Sequence, residues 1–231
     1  MTDLRIRAFD AEIMDDFDLP VSEIAPVLAG LGKVNAWFGG HKKLIKALKK
    51  FPVRSGYSVS DWGCGGGDAL IAIDKWAARN KLPLKLTGLD AAPAAITFAR
   101  QESAGFYNIN YLLTDVIADS NINCYDIIIS SLFTHHFNDE HWIQLIKNMQ
   151  SSARKGIIIT DLHRHWLLYY AVIAITHIFT RNKMVRNDGP LSVKRAFKKH
   201  ELVTLLKNAE IDNYNLTWHW PFRWQLIIYK S

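Results

Sequence analysis

Residues 57–70 read YSVSDWGCGGGDAL, with four glycines among the five positions from Gly63 to Gly67 and an acid, Asp61, just before them. Glycine loses more backbone entropy on folding than any other residue, so such a cluster is expected where the chain turns sharply or lies against another group. The flanking segments predict a strand at 57–62 and a helix at 67–80. The stretch therefore indicates a strand, a glycine loop and a helix in succession.

The same alternation continues along the chain, with short apolar runs separated by amphipathic stretches. The runs at 127–129 and 157–159 are continuous isoleucine, as expected for parallel strands covered on both faces. The predicted strands are 57–62, 84–89, 110–114, 125–131, 156–160, 213–219 and 223–229. The predicted helices are 22–51, divided at Gly39-Gly40, and 67–80, 93–104, 139–153, 166–179 and 199–209.

This order predicts an α/β fold: a doubly wound, seven-stranded, mostly parallel sheet with an antiparallel C-terminal hairpin through Pro221. We predict a helical N-terminal cap at 1–55 and a sheet domain at 56–231. About 38 residues separate the strand at 156–160 from the helix at 199, far more than a usual connection. The excess predicts a substrate lid at about 162–198.

Several local expectations complete this scheme. Residues 1–20 are polar and are expected to be partly mobile. Ser22 is a candidate N-cap. Gly189-Pro190 predicts a turn, in which Asp188 and Ser192 could act as caps.

Composition places the chain among globular proteins with one core, because 49% of its 231 residues are hydrophobic and 22% are charged. The net charge of +6 is too mild to argue for nucleic acid. Basic runs at 42–50 and 194–199 have helical spacing and favour solvated helix faces, with an anionic membrane or an anionic substrate carrier as the alternative. Two cysteines without a CxxC motif, and an N-terminus without a signal sequence, predict a reducing cytoplasm.

The apolar segment 166–179 is too short to cross a bilayer, which requires about 20 residues. It predicts a buried or interfacial helix. Arg164 and His165 before it, and Arg181 and Lys183 after it, leave docking to a membrane surface open.

The spacing of the glycines decides which ligand the loop suits. A phosphate-binding P-loop needs Lys followed by Ser or Thr, which is missing, and a dinucleotide G-x-G-x-x-G fails in both registers. The pattern that fits is Asp61-x-Gly63-x-Gly65-x-Gly67. It resembles the first motif of the class I S-adenosylmethionine (SAM) methyltransferases, which have a Rossmann-like fold.

That resemblance implies a SAM site at successive strand ends. Asp61 would meet the ammonium side of SAM, Asp90 both ribose hydroxyls, and Asp115 the adenine amino group beside Val116. The implied cofactor residues are Asp61, Gly63, Cys64, Gly65, Gly67, Asp90, Ala91, Thr114, Asp115, Val116 and Ser131.

The segment SSLFTHHF, residues 130–137, resembles the corresponding stretch of small-molecule methyltransferases, including ubiquinone and menaquinone C-methyltransferases. His135 and His136 would then adjoin the methyl-transfer site, and imidazole can accept a proton near neutral pH. We favour His136, with packing of one histidine as the alternative. His163 emerges at the same rim. His163 and His165 lack a carboxylate partner at ligand spacing, so no metal is predicted.

Three further stretches, NAWFGG (35–40), RNDGPLSVKRAF (186–197) and HWPFRW (219–224), resemble a bacterial subgroup associated with type III polyketide synthases. The resemblance and the aromatic stripe of helix 166–179 suggest that a lipophilic, aromatic substrate is enclosed. The candidate substrate residues are Asn35, Trp37, Arg164, Tyr169, Arg186 and Arg195.

The expected activity is SAM-dependent methylation of a small phenolic or polyketide acceptor, with S-adenosylhomocysteine (SAH) as product and O-methylation favoured. C-methylation of a quinone-like ring and SAM binding without turnover remain open. RNA methylation is disfavoured because an appended RNA-binding domain, an aromatic–basic stacking surface and an Asn/Asp-Pro-Pro-Tyr motif are not apparent. An oligomer and peripheral membrane contact are both compatible with the sequence.

Overall fold

The computed structural model describes residues 3–119 and 122–230. Its sheet has the strand order β3-β2-β1-β4-β5-β7-β6. The strands are β1 (Ser58–Trp62), β2 (Lys85–Asp90), β3 (Ile109–Leu113), β4 (Tyr125–Ser131), β5 (Ala153–Leu162), β6 (Tyr214–His219) and β7 (Arg223–Tyr229). β1 to β5 pair in parallel, while β7 is antiparallel to both β5 and β6. The predicted fold class and hairpin are confirmed.

Eight α-helices flank the sheet within the described residues. They are α1 (Val21–Trp37), α2 (Gly40–Leu48), α3 (Asp68–Arg79), α4 (Pro93–Glu102), α5 (Asp139–Ser152), α6 (Trp166–Phe179), α7 (Lys183–Arg195) and α8 (Lys199–Asn208). The isoleucine runs lack alternation because both sheet faces are covered. Ile128 packs in the core beneath α5 and α8, whereas Ile127 and Ile129 pack beneath α2, α3 and α4.

The helical N-terminal region is part of the same molecule-wide packing. Leu44 and Leu48 of α2 share a buried cluster with the sheet, and Leu28 of α1 packs on Phe98 of α4. α1 begins at Val21 after Pro20, whose φ of −70° already suits a helix start. Ser22 therefore lies inside the helix, and the predicted Ser22 N-cap is wrong.

Residues 3–18, here called the N-terminal strap, pack against the domain. Arg7 and Glu12 are buried, and the amide of Ala8 donates to the carbonyl of Lys194 at 3.1 Å. Most other side chains of the strap are exposed, and the expectation that this segment is partly mobile stays a prediction.

The segment between β5 and α8 is helical throughout most of its length. Gly189-Pro190 lies inside α7, so the predicted turn is wrong. A Cβ at Gly189 would come within 3.0 Å of Val172, so glycine is used where α7 packs closely on α6. Asp188 accepts hydrogen bonds from the amides of Ile13 and Met14 in the strap, at 2.9 and 3.0 Å, instead of capping its own helix.

Helix α6 matches its predicted bounds but is not buried. Thr176 is the one side chain of α6 classed as buried. None of the helices in the described residues has the length and apolar character that crossing a bilayer requires.

Gly156 is a position in β5 where the fold leaves no room for a side chain. A Cβ there would lie 2.5 Å from the carbonyl oxygen of Ile228 in β7 and 2.5 Å from the ring of Phe51. We expect Gly156→Ala to lower the free energy of unfolding by about 1–3 kcal/mol, because strand and core must both shift. Urea denaturation measures this. Gly105→Ala, where nothing lies within 4 Å, is the control and should change stability by less than about 0.5 kcal/mol. Equal effects would contradict the prediction.

Candidate active site

A cavity of about 470 Å³ lies at the carboxyl ends of the strands, where the strand order reverses between β1 and β4. This is where ligands bind in open α/β sheets. Its volume is in the range of small-molecule sites. The glycine loop, α1 and the N-terminal strap all contribute to its walls.

The glycine loop is shaped by backbone hydrogen bonds to the end of β2. The amides of Gly63 and Cys64 donate to the carbonyl of Leu89 at 2.8 and 3.0 Å. Asp90 accepts from the amides of Gly65 and Ala92 at 2.8 and 3.0 Å. The loop and the β2 acid therefore hold each other in position.

Two of the glycines are required by conformation and by space together. Gly63 has φ +72°, and a Cβ there would clash with the ring of Phe133. Gly67 has φ +75°, precedes α3, and would clash with Tyr111. Gly67 does not line the cavity, so its predicted contact with the cofactor is replaced by a role in starting α3.

Three carboxyl groups meet near the loop. Asp61 is buried, and its Oδ1 has no hydrogen-bond partner among the described residues. Burial, with Asp68 and Asp90 nearby, raises the pKa of Asp61 well above its usual range. Asp68 is held by His41 at 2.5 Å and by Asn35 at 3.3 Å. Burial also raises the pKa of Asp90. A cation entering the cavity would relieve this accumulation of negative charge.

The end of β3 contributes the next wall. Asp115 accepts from the amides of Ile117 and Ala118 at 2.8 and 3.2 Å, which forms a tight turn. The predicted cofactor residues that line the cavity are Asp61, Gly63, Cys64, Gly65, Asp90, Ala91, Thr114, Asp115, Val116 and Ser131.

His136 lies at the cavity wall in the short 3-10 turn Thr134–His136. Its Nδ1 is 2.6 Å from Asp15 of the strap. His136 and Arg195 hold the pKa of the Asp15 carboxyl below its usual range, against the effect of burial. Because a carboxylate only accepts, Nδ1 carries a proton, and in the neutral imidazole Nε2 then holds the lone pair that can act as a base.

His135 is buried beside it and does not line the cavity. Its Nδ1 donates to Asp161 at 2.6 Å, and Asp161 also accepts from the hydroxyl of Thr134 at 2.7 Å and the amide of His135 at 2.9 Å. Burial alone would raise the pKa of Asp161, but His135 and Thr134 lower it to about 2. His135 therefore packs in the interior and holds Asp161 in position. Its absence from the cavity wall gives no support for direct contact with substrate.

Glu12, His135 and His136 could together hold a metal ion, since one ligand atom of each lies within 4.8 Å of the others. Glu12 has two polar neighbours on α7. The hydroxyl of Ser192 donates to its Oε2 at 2.9 Å, and Nη1 of Arg195 lies 3.9 Å from its Oε1. Burial raises the pKa of Glu12 to about 7. Glu12 Oε1 also lies 3.8 Å from Nε2 of His135 and has no hydrogen-bond partner among the described residues, so one buried acceptor of this cluster is unsatisfied.

The prediction that His163 reaches the methyl-transfer site is wrong in position. It lies in a separate cleft with Arg164, His165 and Trp166. Its Nδ1 accepts from the indole of Trp218 at 3.2 Å, and burial lowers its pKa to about 4.

Of the six predicted substrate residues, one lines the cavity and five do not. Asn35 lines the cavity and accepts from Arg223 at 2.7 Å. Trp37, Arg164, Tyr169, Arg186 and Arg195 do not line it. Trp37 is exposed to solvent, Arg164 binds Glu201 of α8, and Arg186 donates to the carbonyls of Thr180 and His177 at the end of α6.

Within the described residues, no side chain of 162–198 lines the cavity, and the assignment of this segment as a substrate lid stays a prediction. The cover comes from Met14, Asp15 and Phe17 of the strap and from Ile24, Leu28 and Leu31 of α1. Sequence reasoning missed Glu12 and Asp15. Their spacing of three residues, on one side of a helical turn, was the available signal.

Comparison with known proteins agrees with this geometry. Residues 59–156 match the family described as a methyltransferase domain, from β1 into β5. No curated protein matches the sequence.

Solved structures with a similar fold include three with relevant ligands or activity. A SAM-dependent methyltransferase from Aquifex aeolicus has 15% identity and a TM-score of 0.63, over 90% of this chain and 98% of that one. Human N-acetylserotonin methyltransferase in complex with SAM has 14% identity and a TM-score of 0.65, over 94% of this chain and 62% of that one. Magnesium protoporphyrin IX methyltransferase from Synechocystis PCC 6803 with bound SAM has 15% identity and a TM-score of 0.53, over 96% of this chain and 86% of that one.

The His135–Asp161 contact leads to a stability prediction. We expect Asp161→Asn to lower the free energy of unfolding at neutral pH by about 2–3 kcal/mol, because a buried charge-assisted hydrogen bond is lost. The folded pKa of Asp161, about 2, is below its ordinary 3.8, so this stabilisation is present above that ordinary value. It is lost as pH falls through the folded pKa.

Chemical denaturation of the wild type and Asp161→Asn across pH measures this effect. The stability difference should stay constant from neutral pH down to about pH 4 and then shrink. Asp212→Asn, at an exposed position, is the control. A difference that grows on acidification would contradict the assignment.

Proposed function

Because this chain is a class I SAM-dependent methyltransferase, we propose that it methylates an oxygen of a small lipophilic, phenolic or polyketide acceptor. The observation that carries the proposal is the juxtaposition of Asp61 and Asp90 with an apolar chamber that contains His136. Acceptor class and reacting atom are our inference from the residues that line this chamber.

The cavity residues fit SAM at its cationic end. Asp61 presents a buried oxygen without a hydrogen-bond partner among the described residues, and a primary ammonium supplies the donors and charge that it lacks. Gly63 and Gly65 let backbone approach the ligand without a Cβ in the way. These features support the predicted assignment of the methionine portion to the glycine loop.

The ribose and adenine positions follow from the next two strand ends. Each Asp90 oxygen accepts one backbone amide and keeps a second lone pair for a ribose hydroxyl. Val116 is buried beside Asp115 and offers an apolar surface to a ring. We assign the adenine there.

The other half of the cavity is mostly apolar and supports a lipophilic acceptor. Its walls are formed by Met14, Phe17, Ile24, Leu28, Leu31, Phe133 and Phe137. Burying an apolar ring against such walls excludes water from the reacting atoms. Alignment of acceptor and methyl group is then the main source of rate acceleration.

SAM, when bound, supplies an electrophilic methyl group on a sulfonium. The chain's own contribution is to bind and orient both molecules and to accept a proton. We assign that proton to Nε2 of His136, since Asp15 fixes the other nitrogen as a donor and stabilises the imidazolium that forms. The acceptor oxygen thereby gains nucleophilicity as it attacks.

Carbon methylation of a quinone-like ring would use the same chamber, and mass spectrometry of the product separates the two outcomes. SAM binding without methyl transfer to any member of a phenolic panel would favour a binding protein. The cytoplasmic location, a role in small-molecule biosynthesis and an oligomeric state remain proposals.

The cofactor assignment predicts a specific loss of affinity. We expect Asp90→Ala to weaken SAH binding at least about tenfold, because hydrogen bonds from the ribose hydroxyls to a carboxylate are lost. Isothermal titration calorimetry measures the dissociation constant. Asp74→Ala, on the far side of α3 where Asp74 accepts from Asn108, is the matched control and should bind normally. Wild-type affinity in Asp90→Ala would refute the ribose assignment.

The proton-acceptor assignment predicts a loss of turnover. We expect His136→Ala to lower methyl transfer about 10²- to 10⁴-fold, the usual contribution of a positioned base, with little change in SAH affinity. Transfer of labelled methyl to a panel of alkyl phenols measures it.

His163→Ala is the control for the His136 experiment, because this histidine lies in the separate cleft. It should retain turnover. Equal losses in both variants, or none in His136→Ala, would remove His136 from the reaction.

A further inference from the structure

Five exposed aromatic side chains form a surface that the cavity does not use. We call this the aromatic patch; it consists of Trp37, Phe38, Trp166, Trp218 and Trp220. Trp37 is 86% exposed and Trp220 is 66% exposed. Indole rings are rarely left in water without a function, because each offers a large apolar area.

The patch is continuous across three segments of the chain. Ring centroids are 5.4 Å apart for Trp220 and Phe222, 4.8 Å for Phe222 and His165, and 5.8 Å for His165 and Trp166. The ring centroids of Trp218 and Phe222 are 6.1 Å apart.

Lys43 connects the remaining part of the patch. Its Nζ donates to the backbone carbonyl of Phe38 at 3.1 Å and to that of Trp220. The ring centroids of Phe38 and Trp37 are 6.1 Å apart. A basic side chain therefore lies among the tryptophans.

Helix α6 extends the patch from Trp166. It contains no Asp, Glu, Lys or Arg, and Thr176 is its one buried residue. Ile178 is 73% exposed and Phe179 is 79% exposed. Such a helix, apolar around its circumference, is normally found in a core or against a membrane.

Charge is distributed unevenly toward this side. The segments that carry the patch and α6, residues 24–60, 162–187 and 213–231, contain thirteen Lys and Arg and no Asp or Glu. The pKa of His219 in the β6–β7 hairpin is lowered, chiefly by burial and further by the charges of Lys43, Lys46 and Lys50. These three lysines therefore lie near the hairpin.

We propose that the aromatic patch and α6 dock this protein on the surface of an anionic phospholipid bilayer. Tryptophan and lysine side chains suit the headgroup region, and the apolar residues of α6 suit the acyl boundary. With 14 residues, α6 is about 21 Å long, less than the ~30 Å hydrocarbon core, so it lies along the interface.

Two other occupants fit these residues less well. In an isologous dimer formed through this face, the lysines of two copies would meet and their charges would repel each other. Nucleic acid would use the lysines and tryptophans, so the sequence-based argument that no aromatic–basic surface exists does not hold. It would leave Ile175, Ile178 and Phe179 of α6 in water, however, whereas a bilayer covers them.

Helix α1 links the patch to the cavity. Leu31, Val34 and Trp37 recur at three-residue spacing, all are exposed, and Leu31 lines the cavity. A lipophilic acceptor could therefore move from the bilayer along α1 to the site. This consequence rests on the proposed function, whereas the docking itself does not.

Co-sedimentation of the purified full chain with vesicles tests the proposal. Binding should be strong to vesicles of phosphatidylglycerol and phosphatidylcholine, weak to phosphatidylcholine alone, and reduced by salt. The double variant Ile178→Ser/Phe179→Ser should partition about tenfold more weakly, because two apolar contacts with the acyl boundary are lost.

Matched controls separate docking from general stickiness. Tyr107→Ser removes a ring that is 97% exposed between α4 and β3, and should bind vesicles like the wild type. Lys46→Glu/Lys50→Glu, at the lysines beside the β6–β7 hairpin, should abolish the preference for anionic lipid, while Lys85→Glu, on the exposed start of β2, should keep it. SAH affinity and thermal unfolding of each variant confirm an intact fold.

Three results would overturn the proposal. They are absence of vesicle binding, equal binding by wild type and Ile178→Ser/Phe179→Ser, and a dimer in light scattering that this double variant dissociates. Salt-sensitive RNA binding tighter than vesicle binding would also assign the surface elsewhere. Because the vesicle assay contains no SAM, its failure leaves the methyltransferase proposal standing, and loss of SAH binding leaves docking standing.

Discussion

Two buried guanidinium groups hold the acceptor side of the cavity together. Arg7 donates to the backbone carbonyls of Arg195, His135 and Phe137. Arg195 donates to the carboxylate of Asp15 and to the backbone carbonyls of Asp10 and His136. These bonds join the strap, α7 and the 3-10 turn, which share no sheet or helix. A buried polar or charged group without its partners is costly. Removing either guanidinium would therefore leave the oxygens that accept from it without a donor. The place of His136 at the cavity depends on that arrangement.

The cofactor side is built differently, from the regular sheet. β1 and β2 bring Asp61 and Asp90 to one edge, and the amide of Gly65 in the glycine loop fixes one oxygen of Asp90. A rigid half made of strands thus faces a half made of a strap and a helix. The second half carries the acceptor chamber, and α1 continues from it to the aromatic patch.

Periodicity predicted the seven strands and most of the helices, because each buries a face that follows local spacing, but it missed α7. The bounds of α6 matched throughout. Its environment did not match: an apolar helix looks alike in sequence whether a core or a solvent-facing surface surrounds it. Gly189-Pro190 failed for a similar reason, because close packing of α7 on α6 outweighs the local preference for a turn.

The sequence by itself determined the mostly parallel sheet and the cofactor edge, because acids at successive strand ends must meet once the strands are parallel. It also indicated a histidine near the reacting atoms. Only the tertiary structure decided which histidine reaches the cavity, with Asp15 paired to His136 and Asp161 to His135. These pairs join residues more than twenty positions apart through buried charges. No local pattern encodes such contacts, because their energy comes from desolvation and partner geometry in the folded chain.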